Sequence, residues 1–348
     1  LNFPLTASNR EAAFYRFTTL WAFSEAFLGG LLHGLHLPVT GLILGSFSVF
    51  CMATIYLVTQ ETGKILKATM LVVLVKGILS PHSPPTAYIA VLFQGLVGTL
   101  LFSVPIKFIY RILIISILCL AESALQRVLV LTLIFGNGLW EAVDEASQAI
   151  AKQFGLSVVP NAARLIQIYA GIHVMVGFYV GIVLSRLPVW IQQKEFVPDF
   201  SGIRWQEKTT VVRSKNKWYS TTYIIILAFL GAGIYQVYVA DSWLASLKNK
   251  PFLLLIRAGV FLVLWYWVLI PILRLALRDW WKSRTTKYAG ELQHILTLMP
   301  EMRLMVVNSW KLHKDKMLYS RIIAFIKTLI SVCIHFPKEN FKSETEER

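Results

Sequence analysis

A carboxylate, Glu25, sits inside the apolar run LWAFSEAFLGGLLHGLH, and His33 and His36 follow roughly along its side of a helix. Glu122 and Gln126 share one face of the apolar run 108–135, with Arg127 beside them, and His173 lies in the run 163–188. An ionisable group inside such a run is expensive and normally faces a cavity or a partner. Two readings are open. In one the groups pair structurally, Glu122 with Arg127 or Arg164 and His173 with a carbonyl. In the other they converge with Gln94 on a pocket open to the outside and contact a small polar solute. Imidazole and carboxylate also suit nickel or cobalt, but the spacing of Glu25, His33, His36 and His173 matches no metal motif. No metal and no cofactor is assigned.

The elements that must position these groups are membrane helices. Apolar stretches cover 14–36, 38–58, 65–81, 86–104, 108–135 and 163–188, with two more at 219–240 and 253–276. The gaps between them alternate in charge. The first, near Leu37 and Pro38, holds no Lys or Arg; the second holds Lys64 and Lys67; the third, 80–85, none; the fourth, Lys107 and Arg111. The fifth, 136–161, is acidic through Glu141, Asp144 and Glu145, and the sixth, 186–217, is strongly basic. The positive-inside rule puts every even gap, Arg10 and the chain from Arg274 onward in the cytoplasm. The expectation is an all-α, polytopic protein of a cell (inner) membrane with a cytoplasmic N-terminus.

Composition agrees: mean hydropathy is +0.59 and only 15% of residues are charged, too few for a soluble basic protein. The net charge of +15 therefore orients the chain and meets anionic membrane lipid or an acidic partner, and is not a nucleic-acid signature. Cys51, Cys119 and Cys333 are scattered in apolar surroundings, which excludes a disulfide framework. The first apolar helix is long and continues into further spans, unlike a cleavable signal peptide.

Residues 1–190 read as a six-span module, 191–217 as a basic linker containing Pro198 and Gly202, and 218–348 as a second module. Between the fifth and sixth spans, 137–154 places apolar residues at helical spacing opposite acidic ones, an amphipathic helix on the outer surface. Its Trp140 and Glu141 are candidates for the pocket entrance. Three prolines around His82 set a rigid outer turn, either a lid or a sharp stop. In the second module helical runs are expected at 285–299 and 300–316. The stretch 318–336, interrupted by Arg321 and Lys327, either lies in the interface or spans.

Ala22, Ala26, Gly30 and Gly34 stand four apart, a stripe of small residues where another helix backbone approaches closely, within the module or on a partner. Similar spacings occur at Gly41/Gly45 and Gly177/Gly181. No phosphate-binding loop, nucleophile elbow, zinc-protease or prenyltransferase carboxylate signature is present. If ATP supplies energy, another chain binds it.

The stretches EAFLGGLLHGLHLPVTGLILGSFSVF, GKILKATMLVVLVKGILSPHSPPTAYIAVLFQGLVGTLLF and YAGIHVMVGFYVGIVLSRLP resemble the substrate-binding S components of energy-coupling factor vitamin transporters, over about residues 10–190. The resemblance implies six helices and capture of a small micronutrient from outside; Glu25, His33, His36, Gln94, Glu122, Gln126 and His173 are the polar residues that could contact it. It also implies a covering loop at 34–40, and docking through the small residues Ala22 and Ala26, continued by Gly30 and Gly34. The second module is more weakly similar to the transmembrane coupling component. Pro300, Glu301 and Arg303 match the start of a coupling helix that would sit on cytoplasmic ATPase subunits. The Ala-Arg-Gly type signature at the end of such a helix is absent; Asn308, Ser309 and Trp310 stand about where it would fall. Rival readings are an integral membrane enzyme of lipid or isoprenoid metabolism using Glu25 or Glu122 as acid or base, and a non-catalytic membrane scaffold.

Overall fold

The structure is a computed structural model that describes residues 5–34, 39–80, 83–155, 160–193 and 250–335. His36, His82, nearly all of the basic linker, the span expected at 219–240 and the C-terminal tail lie outside the described residues, as do the side chain of His33 and the surroundings of Gly34.

Every regular element among the described residues is helical: α1 (Ala7–Phe23), a π turn (Ser24–Leu28), α2 (Gly29–Gly34), α3 (Thr40–Thr59), α4 (Thr62–Leu79), α5 (Pro85–Ser103), α6 (Phe108–Phe135), α7 (Asn137–Phe154), α8 (Ala162–Leu184), α9 (Leu187–Gln192), α10 (Lys250–Leu264), a second π turn (Trp265–Leu269), α11 (Ile270–Lys287), α12 (Ala289–Leu312) and α13 (Leu318–His335). Among the described residues, five helical stretches are long and apolar enough to cross a membrane: 40–59, 85–103, 108–135, 162–192 and 318–335. The chain is thus an all-α, multi-pass membrane protein.

The remaining two expected spans of the first module are the central ones. The first is broken by its π turn, and α4 carries Lys64, Lys67 and Lys76. Both pack against α3 and against each other, so their polar groups are screened from lipid by other helices rather than by their own composition.

Local signals explain the breaks. The Thr6 hydroxyl accepts the Asn9 N–H at 3.3 Å and starts α1. Pro84 and Pro85 open α5 at positions where a missing N–H costs nothing. The preceding turn is stitched by a Ser80–Ser83 hydroxyl contact at 2.8 Å and by Tyr88, whose hydroxyl donates to the Ser80 carbonyl at 3.2 Å. Gly136, at φ 73° and ψ −167°, separates α6 from α7 in a conformation open to glycine alone. The amphipathic helix runs over Asn137–Phe154, as its periodicity predicts.

The spaced glycines around α6 are packing devices. A Cβ at Gly41 would strike the Ser123 side chain at 2.8 Å, and one at Gly45 would press on Leu120 at 3.3 Å. On α8, a Cβ at Gly177 would lie 2.9 Å from the Ile117 Cα, and one at Gly181 2.9 Å from the Leu113 Cα. The glycines of α3 and α8 thus each let their helix approach α6 closely.

The C-terminal helices group with the N-terminal ones. The described chain separates into one compact unit of 1–124, 170–204 and 281–348 and another of 125–169 and 205–280. In the first, α12 and α13 pack on α1, and α12 also on α4. Lys67 pairs with Glu291 at 2.8 Å, the Tyr15 and His294 rings meet edge-on at 4.8 Å, and Arg16 donates to the Cys333 carbonyl at 3.0 Å. The Trp281 ring covers Gly77, ten residues beyond Lys67, while Trp281 precedes Glu291 by the same ten. Residues 281–291 therefore run antiparallel along α4.

Pro300 also differs from expectation. It lies inside α12 and starts no helix. Leu292 and Ile295 before it and Met302, Met305 and Ser309 after it are all buried, and this shared buried face holds the helix together across the hydrogen bond that proline removes.

Gly177→Ala and Gly181→Ala drive a methyl into the backbone of α6, at a cost of about 1–3 kcal/mol each. Gly30→Ala meets nothing within 4 Å and gains up to about 1 kcal/mol of helix propensity. Thermal unfolding in detergent should show the first two melting earlier and the third no earlier than the parent. A Gly177→Ala protein as stable as the parent would remove the close α6–α8 contact.

Candidate functional site

Glu25 is the second residue of the π turn in the first helix. A π turn carries one residue more than an α turn, so the helix beyond it is rotated by about 100° relative to an unbroken one. That rotation splits the small-residue stripe. Ala22 and Ala26 are 0% and 8% exposed within the unit, whereas Gly30 is exposed with open space around it. Ala22, Ala26 and Gly30 do not form one face, and the first two are covered by the chain's own helices.

The π turn directs Glu25 inward, where its Oε2 accepts from Lys76 Nζ at 2.7 Å. Both side chains are almost fully enclosed, at 4% and 2% exposure. Around the pair, Ser48 offers a hydroxyl 3.1 Å from Glu25 Oε1 and 2.9 Å from the Leu44 carbonyl, and its single proton serves one of the two at a time. The same hydroxyl accepts the Trp21 indole N–H at 2.9 Å. The Lys76 ammonium stands 6.0 Å from the Tyr88 ring centroid, within cation–π range. Four helices and the π turn thus contribute to one buried polar cluster. Desolvating two such ions costs several kcal/mol each, and their mutual attraction offsets this only because the geometry is short and the carboxylate has further hydrogen-bonding partners.

Gln94 belongs to the same layer. It is 4% exposed, and its amide nitrogen lies 3.9 Å from the place a Cβ on Gly45 would occupy. Gly45 is three residues from Ser48 on α3 and so on the same side of that helix. The Gln94 Oε1 is buried without a hydrogen-bond partner, an uncommon state that costs about 1–3 kcal/mol.

Glu122 is half-buried, and its Oε2 likewise has no partner. The expected pair with Arg127 is excluded by helix geometry, since residues five apart stand about 140° around the axis from each other; Arg127 is exposed. His173 is buried at 2%. Extending the register set by Gly181 opposite Leu113 and Gly177 opposite Ile117 by one turn places His173 level with Ala121, one residue from Glu122.

Gln126, Trp140 and Glu141 belong to the other compact unit. There the Trp140 indole donates to the Thr132 hydroxyl at 3.0 Å, which pins α7 to the end of α6, and Glu141 is exposed. Glu301 is half-buried on α12; burial raises its carboxyl above the ordinary carboxylate value, and the nearby Arg16 charge opposes the rise. Arg303 is exposed. No group of three or more metal-ligating side chains occurs among the described residues.

Lys76 is not among the sequence-derived candidates, because weighing the loop charges leaves the charges inside the spans unpaired. A signal for it exists: a lysine in LVVLVKGIL obeys the same rule as a carboxylate in LWAFSEAF. Two opposite charges in apolar runs are each other's natural partners.

Glu25→Gln leaves the Lys76 cation buried without its counter-charge, a loss of about 3–5 kcal/mol. Glu25→Gln combined with Lys76→Met removes both charges and should recover most of it. Thermal melts of the two variants in detergent separate the cases; a single variant melting with the parent would show that the pair does not support the fold.

No known protein family, curated protein or solved structure matches this chain.

Proposed function

We propose that this chain is the membrane subunit of an importer for a small polar micronutrient, with the energy supplied by ATPase subunits on separate chains. The observation that carries the reading is the unfilled Gln94 acceptor, buried beside Gly45, which lies one turn along α3 from Ser48 of the Glu25–Lys76 cluster. A polar solute has three kinds of group to meet there: a free carbonyl oxygen, an ammonium and a carboxylate. The charges are already buried and held in place, so a solute engaging them need not desolvate new ones. A donor on the solute would fill the Gln94 oxygen.

The loop-charge pattern supports a cell (inner) membrane with the N-terminus in the cytoplasm, which places this layer towards the outside. Docking through Ala22 and Ala26 is not carried into the proposal, because both are covered inside the unit. Arg303, exposed on α12, is a candidate contact for an ATPase; the half-buried Glu301 and the mid-helix Pro300 are held by the fold itself.

Gentle solubilisation of the tagged chain from its host, with mass spectrometry of the proteins and small molecules recovered, tests the whole reading. The expected result is one or two ATPase chains and one bound small molecule. The small molecule should be absent from preparations of Gln94→Leu that melt like the parent. Recovery with lipid-metabolic proteins, and without an ATPase or a solute, would overturn the importer reading.

Orientation has its own test. Cys51, Cys119 and Cys333 are all buried, so an introduced thiol reacts against a silent background. Ser83→Cys should label from outside with an impermeant maleimide, and Gly63→Cys only after the membrane is opened. The reverse pattern would invert the proposed topology.

A further inference from the structure

A cleft of ≈ 430 Å³ lies where the chain turns from α12 into α13, with a lining that is mostly apolar. Leu312, Ile323 and Ala324 contribute the apolar part, and Lys316, Lys327 and Ser320 the polar part. The turn is held to α13 by a contact of His313 Nε2 with the Thr328 hydroxyl at 2.8 Å, and Lys327 Nζ donates to the Gln193 side-chain Oε1 at 3.3 Å. Nearby, Arg321 stacks over the Trp310 ring at 4.1 Å. Residues 311–327 contain Lys311, Lys314, Lys316, Arg321 and Lys327 against the single carboxylate of Asp315.

Two further observations limit what fits. Met317, Leu318, Tyr319 and Ile322 beside the cleft are exposed, too apolar a group for a surface that meets only water. In addition, α13 is itself long and apolar enough to span a membrane. A strongly cationic rim, an apolar floor and an adjoining membrane helix together suit a ligand with an anionic head and a hydrocarbon body.

We propose that this cleft binds an anionic phospholipid, with the headgroup phosphate between Lys316 and Lys327 and an acyl chain along Leu312, Ile323 and Ala324. Ser320 supplies a neutral hydroxyl to a phosphate oxygen. The site belongs to the turn between α12 and α13 and does not depend on the importer reading. The bound lipid would fasten the only turn joining these two helices to the membrane surface.

Native mass spectrometry of the full chain in detergent, titrated with phosphatidylglycerol or phosphatidylcholine of the same acyl chains, tests the assignment. The expected result is preferential retention of phosphatidylglycerol. Neutralising Lys316→Gln and Lys327→Gln together should weaken it by roughly fivefold per lysine, whereas Lys316→Arg with Lys327→Arg keeps it. Lys282→Gln with Lys287→Gln removes the same charge from exposed positions on α11 and should leave retention unchanged. Equal loss in that control, or equal retention of the two lipids, would overturn the site. Displacement of phosphatidylglycerol by millimolar inorganic phosphate would reassign the cleft to a free anion. Binding of an acidic poly-glutamate peptide through the same lysines, with no lipid retained, would reassign it to a protein partner.

Discussion

An ion pair enclosed in apolar helices is the constraint around which the first unit is arranged. Neither Glu25 nor Lys76 is tolerable alone in such a place. Each demands the other within hydrogen-bond reach, and the first helix departs from α geometry at this point. The π turn at Ser24–Leu28 carries the carboxylate, and Ser48 and Trp21 complete its surroundings. The same turn changes which residues of the first helix face inward, so Ala22 and Ala26 are buried while Gly30 is not. One electrostatic requirement thereby determines both the polar cluster and the use made of the small residues.

Charges near the other end of α1 and α4 serve assembly. Lys64 and Lys67 read as topology signals in the sequence, yet both approach the Phe14 ring, at 5.1 and 6.0 Å from its centroid, and Lys67 also binds Glu291. Arg16 is nearly buried and fastens α13 through the Cys333 carbonyl. A similar economy occurs at Arg111, which donates to the Tyr56 hydroxyl at 2.8 Å and to the Phe102 carbonyl at 3.2 Å. A positive charge that orients a loop is also a multivalent donor, and at the foot of a helix bundle it finds acceptors across helices.

The helices of the first 190 residues are largely legible in the sequence. Long apolar runs leave backbone groups no alternative to helix in a membrane, so α3, α5, α6 and α8 fall close to where the sequence puts them, and α7 follows from its 3.6-residue periodicity. The break inside the first helix is not legible: SEAFL is an unremarkable helical sequence, and only a lysine 51 residues away makes its π geometry useful. Pro300 misleads for a related reason. Proline is a sound local signal for a helix start, but buried side chains on both sides of it carry α12 straight through.

The candidate site divides in the same way. Glu25, Gln94 and His173 are recognisable as polar groups inside apolar runs, because the cost of burying them is a property of the residue and its neighbours in sequence. Their partners are not, because helix pairing is set by packing between segments far apart in the chain. Sequence alone determined the all-helical, multi-pass class, since hydropathy and span length are local and additive. Tertiary structure alone decided that Lys76 answers Glu25, that the glycines of α3 and α8 both close on α6, and that the C-terminal helices join the N-terminal unit. Each of those is a contact between distant segments, chosen by shape and charge that no local window contains.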